Sequence, residues 1–271
     1  MVEFLRKFAA NKPKLKKVLS FIYRIFVEPI ISGYLWYMIK YFLFTYKKEI
    51  CQLKKLGFEN VGIYLSRLWR RGTELDHAHR RYYKALFKDK AVFIKVAQND
   101  ATIENEIVMA EKMENLESPF IMPSVLWKRD FRGDMKLLAV EFVDGLCEFK
   151  LPDDIYLFDR YCAQYIEILN FLGKHNIVHA DIHPKNLMVY KDNKLMILDF
   201  GISGCVGERN TVDYIARPGT HFREEDGIRI YDDAYSFVKM CERLDISENY
   251  KVPSYNLIED RIDKIILEVK I

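Results

Sequence analysis

Hydrophobic side chains recur at two spacings along the chain, and the two spacings mark different kinds of element. Short runs rich in aromatic and β-branched residues predict five strands, at Tyr82–Leu86, Ala91–Ala97, Leu137–Val143, Leu187–Tyr190 and Leu195–Leu198. Recurrence every three or four residues predicts five helices, at Lys47–Leu68, Thr102–Leu116, Asp153–His175, Tyr231–Leu244 and Asn256–Lys270. Strands with one helix precede a mostly helical part, which predicts an α+β chain with a small antiparallel β lobe and a helical lobe.

The composition is that of a folded protein, and it excludes several classes of protein. Of the 271 residues, 50% are hydrophobic and 30% are charged, which excludes a disordered or collagen-like chain. The net charge is only +3, so no nucleic-acid partner is expected. Five widely spaced cysteines without a C-x-x-C pair predict free thiols in a reducing compartment, and hence a cytoplasmic location.

The basic charge is concentrated in a helical N-terminal extension, residues 1–69. Residues 1–55 hold 12 basic and 3 acidic side chains, and residues 18–46 are apolar and aromatic. Arg24, Glu28 and Lys40 interrupt this run, so it is too short for a spanning helix. One interpretation is a helix that lies on an anionic, cytoplasmic membrane face through its rings and lysines. The other is a pair of amphipathic helices packed on the body.

The residues that can carry chemistry lie in the stretch His179–Ser203. A predicted helix ends at a loop with Asp181 and Asn186, and a predicted hairpin then returns the chain to Asp199. Phosphoryl transfer requires little covalent chemistry from a protein beyond positioning and charge neutralisation. Asp181 is the candidate carboxylate for an acceptor hydroxyl, and Asn186 and Asp199 are candidate oxygen ligands for Mg²⁺.

This stretch resembles the protein-kinase-like superfamily, whose signatures include H-x-D-x-x-x-x-N and D-F-G. The resemblance extends over roughly residues 70–245 and implies a two-lobed fold, with residues 70–145 as small lobe and hinge and residues 146–271 as helical lobe. It implies that Lys95 contacts the ATP phosphates and pairs with Glu106, with Glu104 and Glu111 as alternative partners.

The same resemblance assigns the hinge and one supporting residue. The run LAVEFVDG looks like the last small-lobe strand and the hinge, so the backbones of Glu141 and Val143 would meet adenine, with Val140 behind it. The helix that starts near Tyr231 would carry Asp233, which braces the loop with Asp181.

Several features depart from the usual kinase pattern. No G-x-G-x-x-G precedes the strands; the corresponding region is Arg71–Tyr83. Ala180 replaces the usual loop arginine, which implies an activation segment that is not controlled by phosphorylation. His183 follows Asp181 in D-x-H-P-x-N, and few residues follow Asp233. These departures are similar to lipopolysaccharide-core kinases and RIO-type kinases.

The sequence therefore predicts an ATP- and Mg²⁺-dependent phosphotransferase with a hydroxyl-bearing acceptor. The preferred acceptor is a saccharide or lipid-linked sugar such as lipopolysaccharide core. A protein serine or threonine is the alternative, indicated by the likeness of Arg217–Glu225, with Thr220 and Glu225, to the end of an activation segment. A pseudokinase scaffold without catalysis is a second alternative, favoured by the missing glycine loop.

Overall fold

The computed structural model describes residues 46–64, 80–98, 100–118, 120, 123–132, 135–207, 221–246 and 250–270. The chain forms two compact units, Met1–Val61 and Gly62–Ile271. The predictions for residues 1–45, for the region 65–79 with the boundary at residue 69, and for Thr220 lie outside the described residues. No helix within the described ranges is both long and apolar enough to cross a membrane.

The described part of the first unit is a helix that turns into a strand. Residues 46–55 are helical. Gly57 then adopts a φ of 90°, and the N–H groups of Gly57 and Phe58 donate to the carbonyls of Lys54 and Leu53. This pairing is a Schellman motif, which ends a helix at a left-handed glycine. The helix predicted over Lys47–Leu68 is therefore wrong for residues 56–64, because Gly57 stops it and strand β1, Glu59–Ile63, follows.

The second unit contains an antiparallel sheet with strand order β2-β3-β5-β4, and the last residues of β1, Gly62 and Ile63, lie at its edge next to β2. Its strands after β1 are β2 (Arg80–Phe87), β3 (Lys90–Gln98), β4 (Val125–Arg132) and β5 (Met135–Glu141). Lys88 and Asp89 both have a positive φ, which is the conformation of a two-residue hairpin turn between β2 and β3. Strand β4 was not predicted, because charged residues interrupt its hydrophobic positions.

The two faces of this sheet differ in their surroundings. Side chains alternate along β3: Val92, Ile94 and Val96 point to one face and are fully buried. Ala97, on the other face, packs with Ile103 from helix α1, Ala101–Met113. The face that carries Ala97 is called the inner face below.

The helical lobe is built on a buried aromatic pair. Its helices are α2 (Ile155–Lys174), α3 (Asp233–Arg243) and α4 (Pro253–Glu259). Tyr165 of α2 stacks on Phe237 of α3 with ring centroids 4.2 Å apart, and both side chains are fully buried. The Tyr165 hydroxyl donates to the backbone carbonyl of Asp233 at 2.9 Å. The pair therefore fixes where α3 begins relative to α2.

Short strands connect these helices and carry the loops of interest. Strand β6 (Cys147–Glu148) pairs with the hairpin β8 (Leu187–Tyr190) and β9 (Lys194–Ile197), and β7 (Ile177–Val178) pairs with β10 (Gly204–Cys205). This arrangement of an antiparallel sheet and a helical part confirms the predicted α+β class.

The C-terminal helix predicted over Asn256–Lys270 is confirmed only as far as Glu259. Helix α4 ends at Glu259, and strand β13, Leu267–Lys270, joins a sheet with β11 (Arg223–Glu225) and β12 (Ile228–Tyr231). Pro253 occupies the first turn of α4, where a proline is favourable, so the helix starts earlier than predicted. Leu267 is buried on one side of β13, which is the alternation of a half-buried strand.

We expect Phe237→Ala to lower the free energy of unfolding by about 3–5 kcal/mol, because it leaves a cavity against the Tyr165 ring. Tyr156→Ala is the control, since this ring on α2 is 84% exposed and its loss costs at most about 0.5 kcal/mol. Urea denaturation of both variants measures the difference, and equal costs would contradict the assigned core.

Candidate active site

Lys95 lies at the centre of an ion-paired group on the inner face of the sheet. Its amino group is 2.7 and 2.8 Å from the carboxylate oxygens of Glu106 on α1 and 3.3 Å from Oδ1 of Asp199. Of the alternative partners, Glu111 pairs with Lys128 at 2.8 Å instead, and Glu104 lies exposed in the first turn of α1. The structure thus selects Glu106 as the helix partner of Lys95.

The Lys95 ammonium stays charged despite its burial. Burial lowers the pKa of Lys95, but the carboxylates of Asp199 and Glu106 outweigh this effect and raise the pKa above its ordinary value. The Lys95 and Glu106 side chains are each 12% exposed, whereas Asp199 is 42% exposed. A fixed cation therefore stands beside a carboxylate that remains accessible to a ligand.

Asp181 and Asn186 are hydrogen-bonded to each other in the Asp181 loop, His179–Asn186. The Asn186 amide nitrogen donates to the Asp181 carbonyl at 3.0 Å and to Oδ2 of its carboxylate at 3.1 Å. The planar amide group of Asn186 therefore turns its oxygen away from Asp181. His183 Nε2 lies 3.7 Å from the other carboxylate oxygen of Asp181.

The hairpin β8–β9 returns the chain to this loop, as the sequence predicted. Leu198 N–H, directly before Asp199, donates to the carbonyl of Asn186 at 2.8 Å. An amide oxygen and a carboxylate fit Mg²⁺, which prefers oxygen ligands and usually takes few from the protein. Within the described part of the chain, no cluster of three or more His, Cys, Asp or Glu side chains could cage a metal.

Asp233 braces the Asp181 loop from below. Its two carboxylate oxygens accept the backbone N–H groups of His179 at 2.7 Å and Ala180 at 3.0 Å. Ala180 has a φ of 64°, a left-handed conformation that costs free energy for a residue other than glycine. The two hydrogen bonds to Asp233 offset that cost and hold the loop in shape.

His179 connects the same loop to the hairpin through both ring nitrogens. Its Nδ1 accepts the backbone N–H of Asp181 at 3.2 Å, which leaves Nε2 to donate to the Leu198 carbonyl at 2.9 Å. Burial lowers the pKa of His179, so the ring is neutral and can keep one donor and one acceptor. His179 thus supports the loop rather than exchanging protons with a substrate.

Asn105 is a residue of the site that the sequence analysis missed. Its side-chain amide donates to the carbonyls of Phe200, Gly201 and Ser203 at 3.4, 3.2 and 2.8 Å. These carbonyls belong to the Asp199 turn, Asp199–Ser203. A lone asparagine carries no motif; its only signal was its position next to Glu106 on a predicted helix.

Gly201 allows this close approach of α1 to the Asp199 turn. A Cβ atom at Gly201 would lie 3.2 Å from Thr102 Cβ and 3.2 Å from Asp199 Oδ1. Such contacts are tighter than van der Waals packing normally permits, so the glycine of the D-F-G motif serves helix packing here.

In the predicted hinge, some backbone N–H groups already donate hydrogen bonds to other parts of the chain. Glu141 N–H donates to Ser124 and Phe142 N–H donates to Ala91, both at 2.8 Å. Val140 packs against the cluster of α1 and the sheet. Glu141 is exposed and Val143 half-buried, and their contact with adenine stays a prediction.

The segment that begins at residue 221 differs from its expected role. Glu225, suggested as the closing glutamate, lies exposed on β11. Arg223 forms an ion pair in this region instead: it contacts the exposed Asp263 and lies 3.8 Å from the buried Asp232.

Asp233 gives a prediction about pH. Burial raises its pKa to about 7, against backbone hydrogen bonds that lower it, whereas the unfolded chain titrates near 3.8. Between these values the folded protein keeps a proton that the unfolded chain loses, so stability falls as pH rises. We expect the free energy of unfolding to fall by about 1 kcal/mol per unit from pH 5 to pH 6 through this group.

Denaturant unfolding of Asp233→Asn should lack this component of the pH slope. Asp245→Asn is the matched control, because Asp245 is exposed and its φ of 61° suits asparagine. Identical slopes in wild type and Asp233→Asn would mean that the folded carboxyl is ionised throughout this range.

Comparison with known proteins shows to which family this chain is related. The sequence model described as "Protein kinase domain" matches residues 81–222. The chain is 26% identical over 149 residues to the cAMP-dependent protein kinase catalytic subunit of Schizosaccharomyces pombe, covering 51% of this chain and 28% of that protein. It is 29% identical over 136 residues to a probable serine/threonine-protein kinase of Clostridium acetobutylicum, covering 46% of this chain and 21% of that protein.

A solved structure of the BubR1 kinase domain matches with a TM-score of 0.39 and 19% identity, over 46% of this chain and 44% of that one. The chain spans only about a quarter of the length of the two curated relatives. The family match itself covers more than half of the chain and contains Lys95, Glu106, Asp181, Asn186 and Asp199 in order. This chain belongs to the protein kinase domain family.

Proposed function

We propose that this protein is an ATP-dependent phosphotransferase that moves the γ-phosphoryl group of Mg·ATP to a hydroxyl group. The observation that supports it best is the ion-paired group itself: Lys95 is held between Glu106 and Asp199. A buried lysine that stays charged beside an accessible carboxylate is suited to a ligand that carries both phosphates and a divalent cation.

Each side chain has a distinct role in this proposal. Lys95, oriented by Glu106, binds the α- and β-phosphates of the nucleotide. The Asn186 amide oxygen and the Asp199 carboxylate would hold Mg²⁺. When bound, Mg²⁺ neutralises negative charge on the phosphates during transfer.

Asp181 acts on the acceptor. Asn186 and the brace through Asp233 fix the orientation of its loop, so the Asp181 carboxylate can orient the acceptor hydroxyl and take its proton. The acceptor oxygen forms a bond to the γ-phosphorus while the bond from that phosphorus to the β–γ bridging oxygen breaks. The products are the phosphorylated acceptor and ADP.

A serine or threonine of a protein is the acceptor that the comparisons favour. The curated relatives include a cAMP-dependent protein kinase and a probable serine/threonine-protein kinase. These relatives support the protein serine or threonine, which was the alternative acceptor, rather than the saccharide that the sequence favoured. The likeness to lipopolysaccharide-core and RIO-type kinases stays a prediction.

The acceptor can be identified by transfer from labelled ATP with the full chain. A generic protein substrate, a membrane extract and a purified sugar-lipid are offered side by side, with Mg²⁺ present. Label in the protein substrate alone supports this proposal. Label in the sugar-lipid alone would restore the saccharide acceptor, and nucleotide binding without any transfer would indicate a pseudokinase.

Asp181→Asn should lower turnover by about 10²- to 10⁴-fold while nucleotide affinity stays nearly unchanged, because the base is lost and the phosphate and metal contacts remain. Asp192→Asn is the matched control, since this aspartate lies exposed in the β8–β9 turn with a φ of 60°. Steady-state kinetics and calorimetric binding are the measurements. Near-wild-type turnover in Asp181→Asn would exclude Asp181 as the base.

Asp199→Ala should abolish the Mg²⁺-dependent part of ATP binding, because it removes the carboxylate ligand. The protein should still fold, since Glu106 continues to pair with Lys95. Thermal shifts with ATP, with and without Mg²⁺, measure this effect, and Asp153→Ala at an exposed position is the control. A full Mg·ATP shift in Asp199→Ala would show that Asp199 is not the ligand.

A further inference from the structure

His183 lies at the open edge of the Asp181 loop, two residues after Asp181. Ile182, between these two residues, is fully buried. The His183 side chain is 22% exposed, whereas the Asp181 side chain is only 7% exposed. His183 is therefore the more accessible of the two polar side chains and stands where an acceptor would approach the Asp181 carboxylate.

Hydrogen bonds fix the backbone around His183. Its carbonyl accepts the N–H groups of Asn186 and Leu187, both at 2.9 Å. The next carbonyl, that of Pro184, accepts the N–H group of Phe149 at 3.1 Å. The His183 ring is therefore attached to a loop whose backbone is held on both sides of the residue.

A further hydrogen bond defines which ring nitrogen of His183 carries the proton. The backbone N–H of Lys185 donates to Nδ1 of His183 at 3.1 Å. An N–H group can donate only to a ring nitrogen without a proton, so the neutral ring carries its proton on Nε2. Nε2 is also the nitrogen that lies near the Asp181 carboxylate. The ring thus presents a hydrogen-bond donor towards Asp181.

The gap between His183 and Asp181 has the size of one oxygen atom. Nε2 of His183 lies 3.7 Å from Oδ1 of Asp181, which is too long for a direct hydrogen bond. A single oxygen can nevertheless lie within hydrogen-bond distance of both atoms. The Asn186 amide donates to the other carboxylate oxygen, Oδ2, so Oδ1 is the oxygen that faces this gap.

We infer that His183 binds the acceptor: its Nε2–H group donates to the oxygen of the acceptor hydroxyl, while Oδ1 of Asp181 accepts the hydrogen of that hydroxyl. This inference rests on the proposed function and adds how the hydroxyl is held at two points. During transfer the hydroxyl proton moves to Asp181 and the oxygen bonds to the γ-phosphorus. The Nε2 proton stays on His183, so His183 aligns the oxygen without exchanging a proton.

The two contacts also select the kind of acceptor. A hydroxyl oxygen can donate one hydrogen bond and accept another, which matches one carboxylate oxygen and one N–H group. An ammonium group has no lone pair for the Nε2–H group of His183. A carboxylate has no proton for Asp181 and would face its negative charge. The pair therefore favours a hydroxyl over an amine or an acid.

Two substitutions separate acceptor binding from support of the loop. The longer amide of His183→Gln can place an N–H donor near the position of Nε2, but it does not replace Nδ1. The shorter amide of His183→Asn can place its oxygen near the position of Nδ1 and accept the Lys185 N–H, but it offers no donor at Nε2. The inference predicts that glutamine, and not asparagine, preserves transfer.

The measurement is transfer from labelled ATP by the full chain with Mg²⁺, to whichever of the protein substrate, membrane extract and sugar-lipid the wild type labels. His183→Asn should lower the transfer rate roughly 10²-fold, because the hydroxyl is no longer aligned. The share of ATP hydrolysed by water should rise, since Asp181 can still accept a proton from water. His183→Gln should keep most of the wild-type transfer rate. Calorimetry should show nearly unchanged ATP affinity in both variants.

His175→Asn is the matched control, because His175 lies at the C-terminal end of α2 against Phe171 and should not affect transfer. Faster transfer by His183→Asn than by His183→Gln would overturn the inference and assign His183 to support of the loop. Equal transfer rates in the two variants would overturn it as well, because the donor at Nε2 would then have no effect. Wild type that labels none of the acceptors would refute the proposed function itself.

Discussion

The ion-paired group around Lys95 is the interaction on which the rest of the site depends. A buried ammonium is unfavourable alone, and it is tolerated here because two carboxylates from separate elements converge on it. Glu106 comes from α1 and Asp199 from the turn after β9. One charge thereby connects the sheet, the helix and the loop that carries the candidate metal ligand, so removing it would leave two carboxylates without their shared cation.

A buried carboxyl group organises the other half of the site. Asp233 lies at the start of α3, where the Tyr165–Phe237 stack fixes the helix, and its oxygens hold the Asp181 loop in a left-handed turn at Ala180. The aromatic stack in the helical lobe thus positions the carboxyl group of Asp233, and this one group holds the loop. In both halves one buried titratable group makes several hydrogen bonds: Lys95 donates to the carboxylates of Glu106 and Asp199, and Asp233 accepts from the backbone N–H groups of His179 and Ala180.

The sequence was sufficient to predict those site residues that are defined by residue type and by spacing along the chain. Lys95, Asp181, Asn186 and Asp199 could be read from motifs, and the α+β class followed from periodicity. The choice between Glu106 and Glu111 depends on which face of α1 points towards Lys95, and only the fold shows this. Strand β13 was mistaken for helix because its pairing with β12 is a contact between distant residues that local periodicity does not contain. Asn105 was missed because a single asparagine is not part of any motif, and its three acceptor carbonyls become apparent only in the fold.

The three hydrogen bonds of Asn105 have a consequence for how helix α1 can move. An outward swing of α1 would strip Phe200, Gly201 and Ser203 of a shared donor, at about 1–3 kcal/mol for each carbonyl left buried and unpaired. It would also separate Lys95 from Glu106. These hydrogen bonds therefore couple α1 to the Asp199 turn, and a tilt of the helix alone would break them.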